Sequence, residues 1–568
     1  MPQRKDAIRI GLSRLLALVA ISSSLSTTAQ EAPSGPVGGA LESLLTEGQH
    51  PYLTSIDLAA ERVTLENLYA AGGGQFLWSR DHAVTPSALA VMSELRSAEN
   101  VGLRATDYDA NRLSYAAMEL AAAKPPGDDQ WALFDIAVSG ALLAYVHDLH
   151  LGRIDPHAAG LNLDVEHSRL DAVPLMQQIS HGPDVAGILH GIEPPFLHYE
   201  LLKKALLHYR ELALEPELTQ LPPLPDKSVK PGQPYAGAAQ LRHLLAALGD
   251  MPSAASPAAS DAVLSDDLVE ALKRFQELSG LDPDGALGAG TFAALTTPLT
   301  NRVQQIELTL ERWRWLPPKI DTPPILVNIP RYRLYAFRTV DDREGEMLQM
   351  GVIVGKSYPA NRTPVFTADM KYLVMRPYWD VPYSITTREM LPKIRDNPGY
   401  LHAQRLEIVG GYGDDTPALP PTPDNLAALA RGTLRLRQQP GPDNALGLVK
   451  FMLPNPYNVY LHSTPAQSLF ERSARAFSHG CVRVSDPVAL AEYVLRDDPS
   501  WTRERILQAM NGTRPTQVNL KQPIRVYILY GTAVATEQGQ VYFLPDIYGH
   551  DARLAELLRA SRKTTVAN

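Results

Sequence analysis

The sequence predicts a multidomain α+β protein with a mainly helical N-terminal part and a β-dominated C-terminal part. Its 568 residues are too many for one ordinary hydrophobic core, so several domains are expected. Before residue 300, apolar residues recur at helical spacing, as at Leu241, Leu244, Leu245 and Leu248. Beyond residue 323, runs rich in β-branched and aromatic residues, such as 325–329, alternate with proline and glycine.

The overall composition is that of a soluble globular protein, with 45% hydrophobic and 20% charged residues. A net charge of −9 and the absence of a long Lys/Arg block argue against nucleic acid as a partner. The expected partner is therefore a small molecule or a polymer other than nucleic acid.

Residues 1–29 have the layout of a secretory signal peptide. Basic residues up to Arg14 precede the short apolar run Leu15–Ile21, and small residues lead to a cleavage point near Gln30. The run is short for a membrane span, but an uncleaved N-terminal anchor is the alternative. The pattern predicts an exported protein.

Residues 30–225 are predicted to form a mainly helical scaffold domain without a clear catalytic motif. Residues 226–234 are rich in Pro, Lys, Asp and Gly and are predicted to be a linker. Residues 235–298 contain three short helical stretches, and residues 299–322 a linking helix that Pro317-Pro318 ends.

The β-rich domain is predicted to span residues 323–550, as a sandwich or a partly open barrel, with a C-terminal helix and tail at 551–568. Between about 387 and 447 the strand pattern breaks into a long polar insert with many Gly and Pro residues. Inserts of this length inside a compact domain are usually either functional lids or disordered, and this one returns just before His462. We predict that it is a lid over the site described next.

A single cysteine, Cys481, lies in the stretch 460–483. Two histidines of the same stretch, His462 and His479, are the candidates for the base that deprotonates it. A thiol attacks as its thiolate, so a nearby base is required. Gly480 lets the backbone approach a substrate, and the N–H groups of Gly480 and Cys481 are candidate donors to an oxyanion. The pattern predicts cysteine acyl transfer.

The alternative is that Cys481 is only a small buried hydrophobe. One cysteine cannot form an intramolecular disulfide, and a free thiol in an oxidising compartment is exposed to damage. Its retention inside a Ser-His-Gly-Cys cluster therefore favours a functional role.

The helical unit at 235–298 resembles the three-helix peptidoglycan-binding module of cell-wall enzymes, and the stretch 262–295 carries the match. The matching residues are Phe275-Gln276, Gly280-Leu281, Asp284-Gly285, Gly288 and Thr291. The resemblance implies contact with peptidoglycan and leaves open whether the module binds glycan strands or only braces its neighbour.

From Pro323 onward the chain resembles the catalytic domain of L,D-transpeptidases, of the large Gram-negative type. The resemblance is carried by Thr363-Pro364, the 376–382 run RPYWDVP, His462-Ser463-Thr464-Pro465 and the 478–483 run SHGCVR. It implies a β-sandwich-like catalytic domain without metal or cofactor, located in the periplasm. It further implies 3→3 cross-linking of peptidoglycan through a Cys481 thioester, made from a donor tetrapeptide stem with release of D-Ala.

The resemblance also implies roles for individual residues. It makes His462 the base and gives Ser463 a part through its backbone carbonyl, while His479 shapes the turn. The residues expected at the substrate are Ser478, Tyr378, Trp379 and Arg483. For Arg483 a structural ion pair, and for Trp379 core packing, remain the alternatives.

The implied partners are peptidoglycan stem peptides, glycan strands and cell-wall synthases, and carbapenems are implied to acylate the site. The oligomeric state stays open. Two rival functions also remain. One is an L,D-carboxypeptidase or endopeptidase that uses the same thioester with water as acceptor, and the other is a non-catalytic wall-binding scaffold.

Overall fold

The computed structural model describes residues 36–47, 50–122, 127–163, 170–251, 262–340, 342–343 and 345–566. The predicted signal peptide, residues 1–29, lies outside the described residues. The fold class is confirmed: a helical N-terminal region and a helical module precede a β-rich domain.

The N-terminal region consists mainly of helices. In chain order, α1 to α8 are Gly38–Glu47, Arg62–Ala71, Pro86–Arg96, Ala110–Ala122, Asp128–Leu151, Ala172–His181, Val185–His190 and Leu197–Leu212. A short ribbon pairs β1 (Ser79–Arg80) with β2 (Ala83–Val84).

Helix α5 is the centre of this region. Among the described residues it is the one helix long and apolar enough to cross a membrane, but 78% of its most apolar window is buried inside the fold. Its buried Asp135 accepts hydrogen bonds from the backbone N–H groups of Leu77 and Trp78 and from the Tyr69 hydroxyl. We therefore assign α5 as the core helix of a folded domain.

The helical module begins earlier than predicted. Strand β3 (Ser228–Val229) precedes α9 (Ala238–Ala247) and α10 (Asp266–Leu278), and β4 (Leu287–Gly288) leads into α11 (Ala289–Leu295). Strand β3 pairs with β4, and Val229 is 1% exposed. Residues 226–234, predicted to be a linker, are therefore part of the module.

The polar signature residues of the module hold its loop. The Gln276 amide is buried and donates to Asp284, to the Ala286 carbonyl and to Thr291, while Gly285 N–H donates to its oxygen. Each of these buried polar groups would be costly without its partner. These signature residues thus stabilise the fold of the module, and their hydrogen bonds do not require contact with glycan.

Helix α12 (Leu299–Arg314), the predicted linking helix, is hydrogen-bonded to the helical region and to the end of the β-rich domain. Its buried Arg314 donates to the Val101 carbonyl and to the Tyr199 hydroxyl, both in the helical region. Its Glu311 accepts from the backbone N–H groups of Arg153 and Ile154. Helix α8 packs with the module rather than with α5, so the predicted 30–225 range is divided between two cores.

The β-rich domain starts with four strands. They are β5 (Ile325–Asn328), β6 (Arg333–Ala336), β7 (Leu348–Gly355) and β8 (Phe366–Met375).

The insert that follows is a folded subdomain and not the long polar loop that the sequence predicts. Its strands β9 to β12 are Trp379–Asp380, Leu406–Val409, Ala418–Leu419 and Arg435–Gln438. They form an antiparallel sheet in the order β11-β10-β12-β9. Its helices α13 to α16 are Tyr383–Ile385, Leu391–Asp396, Gly399–Ala403 and Pro423–Arg431. These elements share a hydrophobic core of their own, which includes Ile394, Leu429 and Leu436.

The chain then returns to the main sheet. Strands β13 to β19 are Val449–Met452, Leu461–His462, Ala476–Ser478, Val482–Val484, Thr516–Leu529, Ala533–Ala535 and Val541–Phe543. Helices α17 to α19 are Pro487–Val494, Arg503–Met510 and His550–Val566.

The main sheet has nine strands in the order β15-β7-β16-β14-β13-β8-β17-β5-β6. Strand β6 also pairs with β7, so the sheet closes on itself. Closure leaves few free edges and encloses the largest hydrophobic core of the molecule. The closed sheet brings β14 and β16 side by side in its middle.

Candidate active site

The pairing of β14 with β16 brings the two motif segments together. The strands are parallel, with Leu461 opposite Val482 and His462 opposite Arg483, and Val482 N–H donates to the Tyr460 carbonyl at 3.1 Å. Side chains alternate along a strand, so Tyr460, His462, Cys481 and Arg483 lie on the same face of the sheet. His462 is thereby diagonal to Cys481.

The His462 ring is held in one tautomer. Its Nδ1 lies 2.5 Å from the Ser463 carbonyl oxygen, which can only accept, so Nδ1 carries the proton and Nε2 is the free acceptor. The ring is buried, and burial together with the Arg483 charge lowers the pKa of His462 to about 3. His462 is therefore a neutral imidazole with a basic nitrogen available.

Ser463 contributes its backbone, in agreement with the predicted part for its carbonyl. Its N–H donates to the Val449 carbonyl, which fixes the peptide in the sheet. Its side chain is 3% exposed and lies under Gly447, where an added Cβ would come within 2.5 Å of the Ser463 Oγ. Gly447, with a φ of +60°, leaves the space that this serine needs.

The Cys481 thiol is half-buried and donates to the Asn458 carbonyl at 3.7 Å. Burial raises the pKa of Cys481, while the Tyr460 backbone N–H, the Tyr460 hydroxyl and the Arg483 charge oppose that rise. The resting site is therefore a neutral thiol beside a neutral imidazole, and the proton must move when the sulfur attacks.

This neutral state predicts the pH dependence of thiol reactivity. Only the thiolate is alkylated, and the raised pKa of Cys481 keeps the thiol protonated at neutral pH. His462 stays neutral above its pKa of about 3 and adds no step between pH 5 and 9. We expect the rate of alkylation by iodoacetamide to rise about tenfold per pH unit from pH 6 to 8.5.

Intact mass spectrometry at timed intervals measures this rate, with glutathione as the free-thiol control. A rate that is level from pH 5 to 8 would show a thiolate–imidazolium pair at rest and would contradict the neutral assignment.

The turn that carries Cys481 is closed by Ser478. The Ser478 hydroxyl donates to the Cys481 carbonyl at 2.6 Å and accepts from Gly480 N–H at 3.1 Å. Ser478 is 2% exposed, so the prediction that it contacts substrate is corrected: it stabilises the turn from inside.

The same geometry corrects the predicted oxyanion donors. Gly480 N–H is already bonded to Ser478, so Gly480 does not offer it to a substrate. Its φ of +120° suits only glycine, which makes Gly480 a conformational requirement of the turn. Cys481 N–H has no hydrogen-bond acceptor within the described parts of the chain, so its part as an oxyanion donor stays a prediction.

Thr363 anchors this turn to the main sheet. Its buried hydroxyl donates to the Gly480 carbonyl at 2.8 Å and accepts from Gly355 N–H at 2.9 Å. Its own N–H donates to the Tyr548 hydroxyl, which in turn donates to the Gly355 carbonyl. Thr363 of the Thr363-Pro364 motif thus has a structural role, because it holds Gly480 in position.

Replacing Thr363 with valine is expected to lower the free energy of unfolding by about 1–3 kcal/mol, because it leaves the Gly480 carbonyl and the Gly355 N–H buried without partners. Urea denaturation measures the change, and Thr363→Ser should recover most of it. The matched control is Thr297→Val, which removes a hydroxyl that bonds the Ala293 carbonyl in the last turn of the preceding helix α11. Equal losses in both variants would refute the anchoring role.

His479 faces the insert. Its Nε2 lies 2.8 Å from Glu389 Oε1, and both side chains are partly exposed. The two histidines therefore point to different partners, with His462 held by the sheet backbone and His479 by the insert. That His479 shapes the turn stays a prediction.

Two further predicted residues belong to the rim between insert and sheet. The Trp379 indole N–H lies close to the Tyr460 hydroxyl, and its ring also packs against the core of the insert. Tyr378 is half-buried, with the Arg437 guanidinium 4.2 Å from its ring centroid. Trp379 thus reaches the site through Tyr460 and fills the packing role that was its alternative.

Tyr460 is a site residue that the sequence analysis did not single out. Its hydroxyl lies close to the Cys481 sulfur, and burial followed by the Cys481 charge raises its pKa far above the ordinary value. It therefore stays protonated and can donate to the sulfur. Its position two residues before His462 on one strand was the signal that could have found it.

Arg483 is a half-buried cation that has no acidic partner among the described residues. Its Nε is buried without a hydrogen-bond partner, and burial lowers the pKa of Arg483. Within the described residues Arg483 forms no ion pair, so the alternative of a structural pair has no support. The free guanidinium lies beside the nucleophile.

One described cluster has the spacing of metal ligands, and it lies far from this site in sequence and fold. His190, Glu193 and Glu200 come together in the helical region, where Lys203 Nζ already binds both carboxylates. The ammonium group satisfies these acids, so the cluster reads as an ion-pair network.

Comparisons with known proteins agree with this geometry. Family models match as "Scaffold domain" at residues 63–206, "Putative peptidoglycan binding domain" at 236–295 and "L,D-transpeptidase catalytic domain" at 323–518. A curated Haemophilus influenzae protein named "Putative L,D-transpeptidase" is 32% identical over 259 residues, which cover 46% of this chain and 50% of that protein. The chain thus spans about half the length of the curated relative it matches.

Proposed function

We propose that the chain forms 3→3 cross-links in peptidoglycan through a thioester on Cys481, because residues 323–518 match the model of the L,D-transpeptidase catalytic domain. The observation that carries this proposal is the placement of Cys481 diagonal to His462, whose ring is neutral and held by the Ser463 carbonyl. The adjoining peptidoglycan-binding domain supports the same polymer as substrate.

The first half-reaction would transfer the donor acyl group to sulfur. His462 Nε2 takes the thiol proton as Sγ attacks the carbonyl between the third and fourth residues of a tetrapeptide stem. Cys481 N–H stabilises the oxyanion, and the carbon–nitrogen bond then breaks. The proton on His462 passes to the leaving amine, so D-Ala departs and a thioester remains.

The second half-reaction would reverse the proton path. The side-chain amine of an acceptor stem attacks the thioester carbonyl, and His462 takes a proton from that amine. The carbon–sulfur bond breaks, and the sulfur recovers its proton from His462. The amide so formed joins two stems without ATP, because the energy of the donor peptide bond is kept in the thioester.

Arg483 is proposed to bind a stem-peptide carboxylate near the nucleophile. We expect Arg483→Gln to lower kcat/KM for the tetrapeptide donor about 10- to 100-fold, since a charge-assisted hydrogen bond contributes about 1.5–3 kcal/mol. Steady-state release of D-Ala measures the effect, and a donor with amidated carboxylates is the control. An equal loss on the amidated donor would show that Arg483 does not read the carboxylate.

The insert is proposed to act as a lid in this reaction. Its Glu389 contacts His479 of the catalytic turn, and its Trp379 lies close to the Tyr460 hydroxyl. A folded subdomain in that place would limit access of water to the thioester and favour the amine acceptor.

The place of action is proposed to be the periplasm, where stem peptides are accessible. Residues 1–29 would direct export or remain as an anchor, and cell-wall synthases would be the natural source of donor strands. Carbapenems would acylate Cys481, because their reactive carbonyl can take the place of the donor carbonyl.

The decisive experiment incubates the purified chain with disaccharide tetrapeptides and resolves the products by mass spectrometry. Cross-linked dimers that contain a tripeptide donor, with one D-Ala released for each link, support the proposal. Tripeptide monomers alone would instead show the L,D-carboxypeptidase. Chain alkylated at Cys481 with iodoacetamide is the blank, and if it formed equal product, it would exclude the thioester route.

A further inference from the structure

The row of side chains that contains His462 has a cation on each side of the imidazole. Lys450 of β13 lies opposite His462 in an antiparallel pair, and Arg483 of β16 lies opposite His462 in a parallel pair. Residues directly opposite each other in an antiparallel pair share one face of the sheet, with their Cβ atoms about 5 Å apart. Lys450 therefore lies on the catalytic face, although none of the steps on Cys481 uses it.

The neighbours of Lys450 along β13 support this orientation. Val449 and Phe451 are both 0% exposed and belong to the hydrophobic core that the closed sheet encloses. Side chains alternate along a strand, so Lys450 points away from that core and toward the face of His462 and Arg483. It is half-buried there.

The ammonium group of Lys450 is unpaired. Its Nζ forms no hydrogen bond and no ion pair with the described residues, and it is not among their enclosed polar atoms, so a ligand can reach it. Burial lowers the pKa of Lys450, and the charges of Asp380 and Asp414 oppose this change. Asp380 is already paired with Arg435 at 2.6 Å, and Asp414 is exposed. A carboxylate bound to Lys450 would offset the cost of burying an unpaired cation.

Lys450 lies at the rim between the main sheet and the insert. Asp380 belongs to β9 of the insert, and its charge acts on both the Tyr460 hydroxyl and the Lys450 ammonium group. The Tyr460 hydroxyl in turn lies close to the Cys481 sulfur. A peptide that reaches the sulfur along this rim would therefore pass the lysine.

We propose that Lys450 is a specificity residue for the donor stem and binds a carboxylate that lies away from the scissile bond. Strand β13 is two strands from β16, which is about 10 Å, whereas Arg483 lies on β16 itself, two residues after Cys481. Arg483 therefore suits a carboxylate next to the reacting carbonyl, and Lys450 suits one further along the stem. This inference rests on the proposed function, since it takes the donor tetrapeptide as the ligand.

Equilibrium binding of the tetrapeptide to the full chain with Cys481→Ser tests the proposal, because this parent does not turn the donor over. We expect Lys450→Gln to raise the Kd about tenfold and Lys450→Arg to keep it within about threefold of the parent, since a charge-assisted hydrogen bond is lost only in the first. An unchanged Kd in Lys450→Gln, or no measurable binding to the parent, would overturn the proposal.

Amidated donors show which carboxylate is bound. A donor amidated only at its internal carboxylates should bind the parent about tenfold more weakly, and Lys450→Gln should then cause no further loss. A donor amidated only at its C-terminus should keep the full effect of Lys450→Gln. Equal effects of Lys450→Gln on all three donors would refute the binding mode, and donors amidated at one internal carboxylate at a time identify the group.

Lys371→Gln is the matched control. Lys371 lies on β8, the strand next to β13, but it is exposed and outside the row, in which Val374 is the residue opposite Lys450. This variant removes the same charge and should leave the Kd unchanged. Thermal unfolding verifies that each variant folds.

Release of D-Ala by the chain with its cysteine intact tests the proposed function separately. Product formation together with a Kd that does not depend on Lys450 would refute this inference and leave the proposed function in place. Binding that depends on Lys450 without any product would support the carboxylate site and contradict the proposed reaction.

Discussion

Replacing His462 with alanine is expected to slow acylation of Cys481 by a carbapenem about 10²- to 10⁴-fold. The reason is that a general base contributes this much, and the resting thiol is protonated because burial raises its pKa. Without Nε2 the sulfur must lose its proton to water before it attacks. Stopped-flow fluorescence or timed intact mass measures the rate.

His479→Ala is the matched control, since it removes the other histidine of the motif but leaves the His462–Ser463 hydrogen bond in place. We expect this variant to keep a measurable part of the rate. The loss that does occur should come from the broken contact with Glu389. Equal losses in the two variants would leave the assignment of His462 as the base without support.

Replacing Cys481 with serine is expected to abolish the covalent adduct altogether. A hydroxyl is far less acidic than a thiol, so a base that is able to deprotonate the thiol does not activate the serine. Intact mass after carbapenem exposure should show the unmodified chain. This exchange changes one atom in a half-buried position, so the unfolding midpoint should stay close to that of the unmodified protein.

The same mass measurement can also contradict the assignment of Cys481 as the nucleophile. An adduct of equal mass on the Cys481→Ser chain would place the nucleophile elsewhere, and the proposed reaction would then fail. Since the sequence has no second cysteine, a persistent adduct would have to lie on a residue of another type.

The fold class could be read from the sequence because periodicity reports local structure. Helices such as α10 and strands such as β7 bury one face, and the spacing of apolar residues records which face that is. The insert was harder to predict, because its strands are only two to four residues long and its core forms between segments far apart in the chain. Gly and Pro within it therefore suggested a loop.

The site shows the same division. Residue types alone made Cys481 the candidate nucleophile and limited the base to His462 or His479, since few side chains can perform those steps. Which way each side chain points could not be read from spacing. That Ser478 and the Gly480 N–H close a turn, and that Tyr460 lies against the sulfur, depend on the backbone path around Cys481.

The sequence by itself determined the chemistry available to this protein, because a thiol, two imidazoles and a guanidinium in one short stretch permit few reactions. The tertiary structure alone decided where those groups lie relative to one another and which role each can take. The parallel pairing of β14 with β16 sets His462 beside Arg483, and the turn that Ser478 closes brings Cys481 next to Tyr460. Both outcomes depend on contacts between segments distant in sequence, which no local pattern encodes.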